Sequence, residues 1–104
     1  MEQGFLTQTL PGSGGDVIAI DNELRLKLYR MMSRARQMEQ RAYDLFMQNL
    51  VKGTSHLALG QEAVSTGFAA AMRPDDYTFC TYRGHNHTLL RGASMTGILG
   101  ELMG

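Results

Sequence analysis

The sequence predicts a mostly helical α/β fold that is incomplete within its 104 residues. Apolar residues in the first half recur at helical spacing, and residues 77–82 are rich in the aromatic and β-branched side chains that favour a strand. The predicted order is helix, loop, helix, strand, helix, helix. Because a lone strand cannot pair its own backbone groups, the chain is either part of a larger α/β domain or completes its fold with other subunits, and we favour the first.

Residues 1–20 predict a flexible leader, because they contain the run Pro11-Gly12-Ser13-Gly14-Gly15. The folded part is predicted over residues 21–104. Asp21 or Asn22 can cap a first helix that extends to about Asn49. Its apolar positions lie three or four residues apart and form one stripe: Leu24, Leu28, Met31, Ala35, Met38, Ala42 and Leu45.

A loop and a second helix follow the first helix. Residues 50–60 contain two glycines and a Thr-Ser pair, so they predict a loop that carries His56. The second helix is predicted from about Gln61 to Met72, and Pro74 with the next two aspartates ends it. Apolar and small residues share one face of this helix: Ala63, Val64, Gly67, Phe68, Ala71 and Met72.

The segment after the second helix contains a potential anion site. The predicted strand, residues 77–82, leads directly into the pair Tyr82-Arg83, and cofactors favour the crevice beyond the carboxyl ends of strands. A guanidinium can grip two anionic oxygens at once, which suits phosphate or diphosphate. After Gly84 the chain predicts a short helix to Leu90 and a last helix, residues 95–103, capped by Ser94.

Composition disfavours several classes of protein. Ten basic and ten acidic residues give no net charge, so neither nucleic acid nor a membrane surface is a predicted partner. A single cysteine excludes an internal disulfide, and no apolar run reaches the roughly 20 residues of a membrane span. With no targeting signal evident, we expect a cytoplasmic, bacterial-type protein.

Simpler interpretations remain open for the candidate residues. His56 can be an ordinary surface histidine, and Tyr82 with Arg83 can be a solvent-facing pair. Zinc binding by Cys80 and the three histidines is disfavoured because a structural zinc site usually has paired ligands at tight spacing on both sides, and Cys80 stands alone, so no metal ligand is predicted. A helical protein-interaction module would explain the first helix but not the cluster Tyr82-Arg83-Gly84-His85.

Several motifs occur in order along the chain after the leader: Leu28-Tyr29-Arg30-Met31, Ala35-Arg36, Glu39, Gly53-Thr54-Ser55-His56-Leu57, Gly60-Gln61-Glu62-Ala63, Asp75-Asp76, Tyr82-Arg83-Gly84-His85, Arg91-Gly92 and Glu101-Leu102-Met103-Gly104. Together they resemble the start of the alpha subunit of thiamine diphosphate-dependent 2-oxo acid dehydrogenases. These are the E1 components of the pyruvate and acetoin dehydrogenase type. The resemblance implies the N-terminal, mostly helical part of a thiamine diphosphate-binding fold.

The resemblance also implies roles for four residues. Tyr82 and Arg83 match the pair that binds the cofactor diphosphate. His56 matches an active-site loop histidine, and His85 matches the histidine found after the Tyr-Arg pair in pyruvate and acetoin members. We therefore expect His56 and His85 to be catalytic. Asn86 stands where the family pattern predicts a glycine.

The implied reaction is oxidative decarboxylation of a 2-oxo acid, with pyruvate favoured, followed by acyl transfer to a lipoyl-bearing E2 partner. An acetoin dehydrogenase alpha subunit is the alternative. The implied assembly pairs two alpha with two E1 beta subunits. The Gly-Asp-Gly motif followed by an Asn pair that holds Mg²⁺ and diphosphate does not occur within these residues. We therefore expect the metal ligands to lie outside them and the 104-residue chain alone to be inactive.

Overall fold

The computed structural model describes residues 20–53 and 56–104. Within them the chain forms four helices: α1 (Asn22–Met47), α2 (Glu62–Ala71), α3 (His85–Leu90) and α4 (Met95–Met103). Each lies close to its predicted position, so the mostly helical character is confirmed. The predicted leader lies almost wholly outside the described residues, as do Thr54 and Ser55.

Helix α1 begins with the expected cap, because the Asp21 carboxylate accepts a hydrogen bond from the Leu24 N–H at 2.8 Å. The helix ends at Met47, two residues before the predicted end. Asn49 then adopts a φ of 59°, a left-handed conformation that asparagine tolerates better than most residues. This residue turns the chain into the loop that follows.

The predicted apolar stripe of α1 is confirmed over its second half, where four of its members are buried: Ala35, Met38, Ala42 and Leu45. Met38 packs with Leu89 of α3 and Ile98 of α4, so three helices share one small core. Ser94 caps α4 as predicted by accepting from the Gly97 N–H at 3.0 Å. Within the described part of the chain, no helix combines the length and apolarity that a bilayer crossing requires.

Helix α2 packs with a different face from its apolar one. Val64 and Phe68 of the predicted apolar face are 56% and 64% exposed, whereas the buried residues are Glu62, Ser65 and Thr66. The physical reason is an ion pair between helices. Arg36 of α1 donates from Nε and Nη2 to the two carboxylate oxygens of Glu62, with a distance of 3.1 Å between Nη2 and Oε2. This fork turns the polar side of α2 towards α1.

We expect this ion pair to make the stability of the protein depend on pH. Hydrogen bonding to Arg36 lowers the pKa of Glu62 from 4.5 to about 2. A carboxylate with a lowered pKa in the folded state stabilises the fold above its unfolded pKa, and this stability is lost as the pH falls towards 2. At pH 7 Glu62→Gln should therefore cost about 1–3 kcal/mol, a range that allows for the half-exposed Arg36.

Thermal unfolding of the full-length protein at neutral and acidic pH tests this expectation. The difference between Glu62→Gln and wild type should shrink as the pH falls below 4.5. Asp75→Asn removes an exposed carboxylate and serves as the control. A difference that is constant with pH would contradict the role of the ionised pair.

The predicted strand is not formed. Residues 77–82 are irregular, and no strand occurs within residues 20–53 and 56–104. Tyr77 and Phe79 are 87% and 93% exposed. The backbone N–H and C=O groups of this segment have no neighbouring strand with which to pair, and a strand without a partner is not stable. The α/β character of the prediction is therefore not observed in this structure.

Candidate functional site

Three of the four predicted site residues come together although His56 is far from the others in sequence. The ring centroids of His56 and Tyr82 lie 4.5 Å apart, with the ring planes tilted by 55°. The guanidinium carbon of Arg83 lies 5.4 Å from the centroid of the Tyr82 ring, within the range of a cation–π contact. The structure thus joins the predicted loop histidine to the predicted anion-binding pair.

The backbone next to His56 is held by two charged side chains. Arg83 donates from Nη1 to the carbonyl oxygen of Leu57. Glu39 of α1 accepts from the N–H of Ala58, with 3.1 Å between Oε2 and N. The Leu57 carbonyl and the Ala58 N–H belong to the same peptide group, so one peptide plane lies between a carboxylate and a guanidinium.

Two apolar residues of the loop are buried. Val51 and Ala58 are each 3% exposed, so the loop is anchored by small apolar contacts on both sides of His56. The Ala58 carbonyl also accepts from the Gln61 N–H at 3.0 Å, which links the loop to the start of α2. His56 itself is exposed, so its ring can meet a ligand from solvent.

The carboxylate of Glu39 lies in an unusual place for a charge. The side chain is 3% exposed and lies among the buried apolar residues of α1. Burial and, to a smaller extent, the nearby Glu62 carboxylate raise the pKa of Glu39, while the hydrogen bond from Ala58 and the nearby His85 and Arg83 side chains act in the opposite direction. A buried carboxylate normally needs such partners.

His85, the fourth predicted residue, lines a cavity of about 520 Å³ together with Tyr82, between the start of α3 and helix α4, and neither His56 nor Arg83 is among its lining residues. His85 Nε2 lies 3.2 Å from a carboxylate oxygen of the exposed Glu101. Tyr82 therefore belongs both to the lining of this cavity and to the cluster with His56 and Arg83.

Glycine at position 84 has a structural explanation. A Cβ atom there would lie 2.8 Å from the Cys80 sulfur, which is too close for the two atoms to coexist without movement. The space that a side chain would need at this position is thus filled by the chain's own sulfur.

Asn86 is fully buried, and neither polar atom of its side chain has a hydrogen-bond partner among the described residues. An unpaired buried amide costs roughly 1–3 kcal/mol. This is the position where the sequence pattern predicted glycine.

Among the described residues, no three His, Cys, Asp or Glu side chains gather as a potential metal site.

Sequence reasoning named Glu39 and Glu101 as parts of motifs but gave them no role. For Glu39 a signal was present, because an acid interrupts the apolar stripe between Met38 and Ala42. A charge at such a position is rare unless it is paired. For Glu101 no local signal existed, since its contact with His85 depends on how α4 packs against α3.

Comparison with known proteins gives a consistent set of relatives. The sequence profile of the family described as "Dehydrogenase E1 component" matches residues 29–104. The somatic mitochondrial pyruvate dehydrogenase E1 component subunit alpha of Sus scrofa is 44% identical over 79 residues, which are 76% of this chain and 20% of that protein. The Homo sapiens somatic form has the same values.

The testis-specific form of Rattus norvegicus is 38% identical over all 104 residues, which are 24% of its length. The chain thus spans about a fifth to a quarter of the relatives it matches. The resemblance to the alpha subunit, inferred from motifs, is confirmed. The predicted bacterial-type cytoplasmic location is wrong, because these relatives are mitochondrial forms from mammals.

Proposed function

The chain belongs to the dehydrogenase E1 component family, and from this we propose that it is part of a thiamine diphosphate-dependent E1 alpha subunit. The proposed reaction is oxidative decarboxylation of a 2-oxo acid, with pyruvate as the favoured substrate because the matched relatives are pyruvate dehydrogenase subunits. The observation that carries the proposal is the contact of Tyr82 with His56 on the one hand and with Arg83 on the other. This contact joins a potential proton carrier to a potential anion anchor.

The donor set fits the cofactor's diphosphate. A guanidinium has five N–H donors in a planar fork, and the Leu57 carbonyl engages only one of its terminal nitrogens, Nη1. The Tyr82 side chain is 66% exposed, so its hydroxyl is accessible to a ligand. We propose that Arg83 and Tyr82 hold the diphosphate together, the arginine by charge and the tyrosine by a hydrogen bond.

The histidines would then serve the reacting end of the site. When bound, thiamine diphosphate supplies the electron sink for decarboxylation. His56 would hold or transfer a proton at the substrate or at the lipoyl sulfur, since an imidazole ring can both donate and accept a proton. His85 would contact the substrate from the cavity that it shares with Tyr82.

The proposal includes components that these residues do not supply. Mg²⁺ would be held by ligands outside the 104 residues, and the site would be completed by an E1 beta subunit in an assembly of two alpha and two beta chains. A lipoyl-bearing E2 protein would accept the acyl group. An acetoin dehydrogenase alpha subunit is the alternative, but the names of the matched relatives support pyruvate.

We expect the 104-residue chain alone to bind no thiamine diphosphate measurably, whereas the full-length alpha subunit assembled with its beta partner binds it in the presence of Mg²⁺. The reason is that an anion anchor without the metal ligands offers only part of the site. Calorimetric titration of both preparations measures the difference. Micromolar binding by the 104-residue chain would contradict the incomplete site, and no binding by the assembly would contradict the proposed function.

A further inference from the structure

The peptide group between Leu57 and Ala58 is restrained at both of its polar atoms. Its N–H donates to the Glu39 carboxylate at 3.1 Å, and its carbonyl accepts from Arg83. Because a peptide bond is planar, hydrogen bonds at opposite edges fix the orientation of the whole group. This plane in turn fixes ψ of Leu57 and φ of Ala58, and so the path of the chain that carries His56.

The charges of Glu39 and Arg83 favour the same orientation of the peptide group. The negative carboxylate lies at the N–H end of the peptide and the positive guanidinium lies at the carbonyl end, so each charge faces the pole of the peptide dipole that attracts it. Both are charge-assisted hydrogen bonds, which are stronger than those between neutral groups. The Glu39 side chain is buried, so little water competes with its bond to Ala58.

A carboxylate is not needed at this position for packing. Replacing a buried charged group with an apolar side chain of similar volume is often neutral or stabilising when its partners are also replaced. Here the partner is a backbone N–H, which cannot be replaced and would be left unpaired. Glu39 therefore contributes by holding the loop through its hydrogen bond with the Ala58 N–H, and not by filling the core.

From this geometry we infer that Glu39 is a positioning residue for His56, an inference that rests on the function proposed above. Glu39 acts through the backbone and does not touch the reacting groups. The opposite end of the same peptide is held by Arg83, so the restraint also ties the His56 segment to the proposed diphosphate anchor. The result is the ring contact of 4.5 Å between His56 and Tyr82.

Two variants separate the hydrogen bond from the charge. Glu39→Leu removes the acceptor at similar volume, whereas Glu39→Gln keeps a side-chain oxygen for the Ala58 N–H and loses the charge. Met38→Ala is the matched control, since it opens the neighbouring core around Leu89 and Ile98. That change lies outside the hydrogen bonds of the Leu57–Ala58 peptide.

The first measurement is hydrogen exchange at the Ala58 amide in the assembled full-length protein without cofactor. Exchange should accelerate about tenfold or more in Glu39→Leu, because the amide loses its only identified acceptor among the described residues. It should remain near the wild-type rate in Glu39→Gln and in Met38→Ala. Unchanged exchange in Glu39→Leu, or equal acceleration in Met38→Ala, would overturn the inference.

The second measurement is steady-state kinetics at saturating thiamine diphosphate. We expect kcat to fall about tenfold or more in Glu39→Leu with little change in KM for the 2-oxo acid, and to recover largely in Glu39→Gln. Normal kcat in Glu39→Leu, or an equal loss in both variants, would overturn the inference. If wild-type assembly binds no cofactor, the proposed function fails, while the exchange measurement still decides whether Glu39 holds the loop.

Discussion

Arg83→Ala is expected to weaken thiamine diphosphate binding in the full-length assembly by about 2–4 kcal/mol, which is the scale for truncating one partner of a buried charge pair. This corresponds to a dissociation constant raised about 30- to 700-fold. The side chain also holds the Leu57 carbonyl, so turnover should fall even when the cofactor is saturating. Calorimetry gives the affinity, and kinetics at high cofactor concentration gives the second effect.

Two further variants sharpen this test. Arg83→Lys should recover only part of the affinity, because an ammonium group is a point charge and cannot form the planar fork. Arg30→Ala removes an exposed arginine from α1 and should leave affinity unchanged. If Arg83→Ala binds cofactor as tightly as wild type, the diphosphate assignment is wrong.

His56→Ala is expected to lower turnover by about 10²- to 10⁴-fold, the usual contribution of a positioned proton donor or acceptor. Its effect on cofactor affinity should be small. The ring contact with Tyr82 is the interaction that the variant removes from the anchor, and such contacts contribute only about 0.5–1.5 kcal/mol. A large loss of kcat with nearly unchanged affinity would separate the role of His56 from that of Arg83.

Two assays identify the step at which His56 acts. An artificial electron acceptor reports decarboxylation, and the lipoyl-dependent assay also includes acyl transfer to E2. His87→Ala is a suitable comparison, because His87 lines a separate cavity with Cys80 and Arg91, and we expect a much smaller change. Normal rates for His56→Ala in both assays would make His56 an ordinary surface histidine.

The helices could be predicted from the sequence because their signals are local. Asp21 and Ser94 cap their helices through backbone groups three residues away, and the stripe of α1 follows from helical spacing alone. The orientation of α2 could not be predicted in this way. Its polar side faces α1 because of Arg36, which lies 26 residues before Glu62 in the sequence.

Part of the candidate site could likewise be predicted from local sequence, and part could not. Motifs identified His56, Tyr82 and Arg83, but nothing local indicated that one peptide group would lie between Glu39 and Arg83. That contact depends on α1, the loop and the segment before α3 meeting at one point. The predicted strand over residues 77–82 did not form because composition indicates only the tendency of residues to adopt a strand. It does not indicate whether a neighbouring strand is present for them to pair with.

The exposed segment that ends at Tyr82 has a consequence for solubility. Residues 77–82 carry no charge, glycine or proline, and Phe79 is 93% exposed. Short segments of this composition readily pair edge to edge with other copies and begin aggregation when nothing covers them. A neighbouring strand would therefore protect the protein from self-association as well as hold Tyr82 and Arg83 in place. Covering residues 77–82 would thus serve both the assembly of the subunit and its solubility.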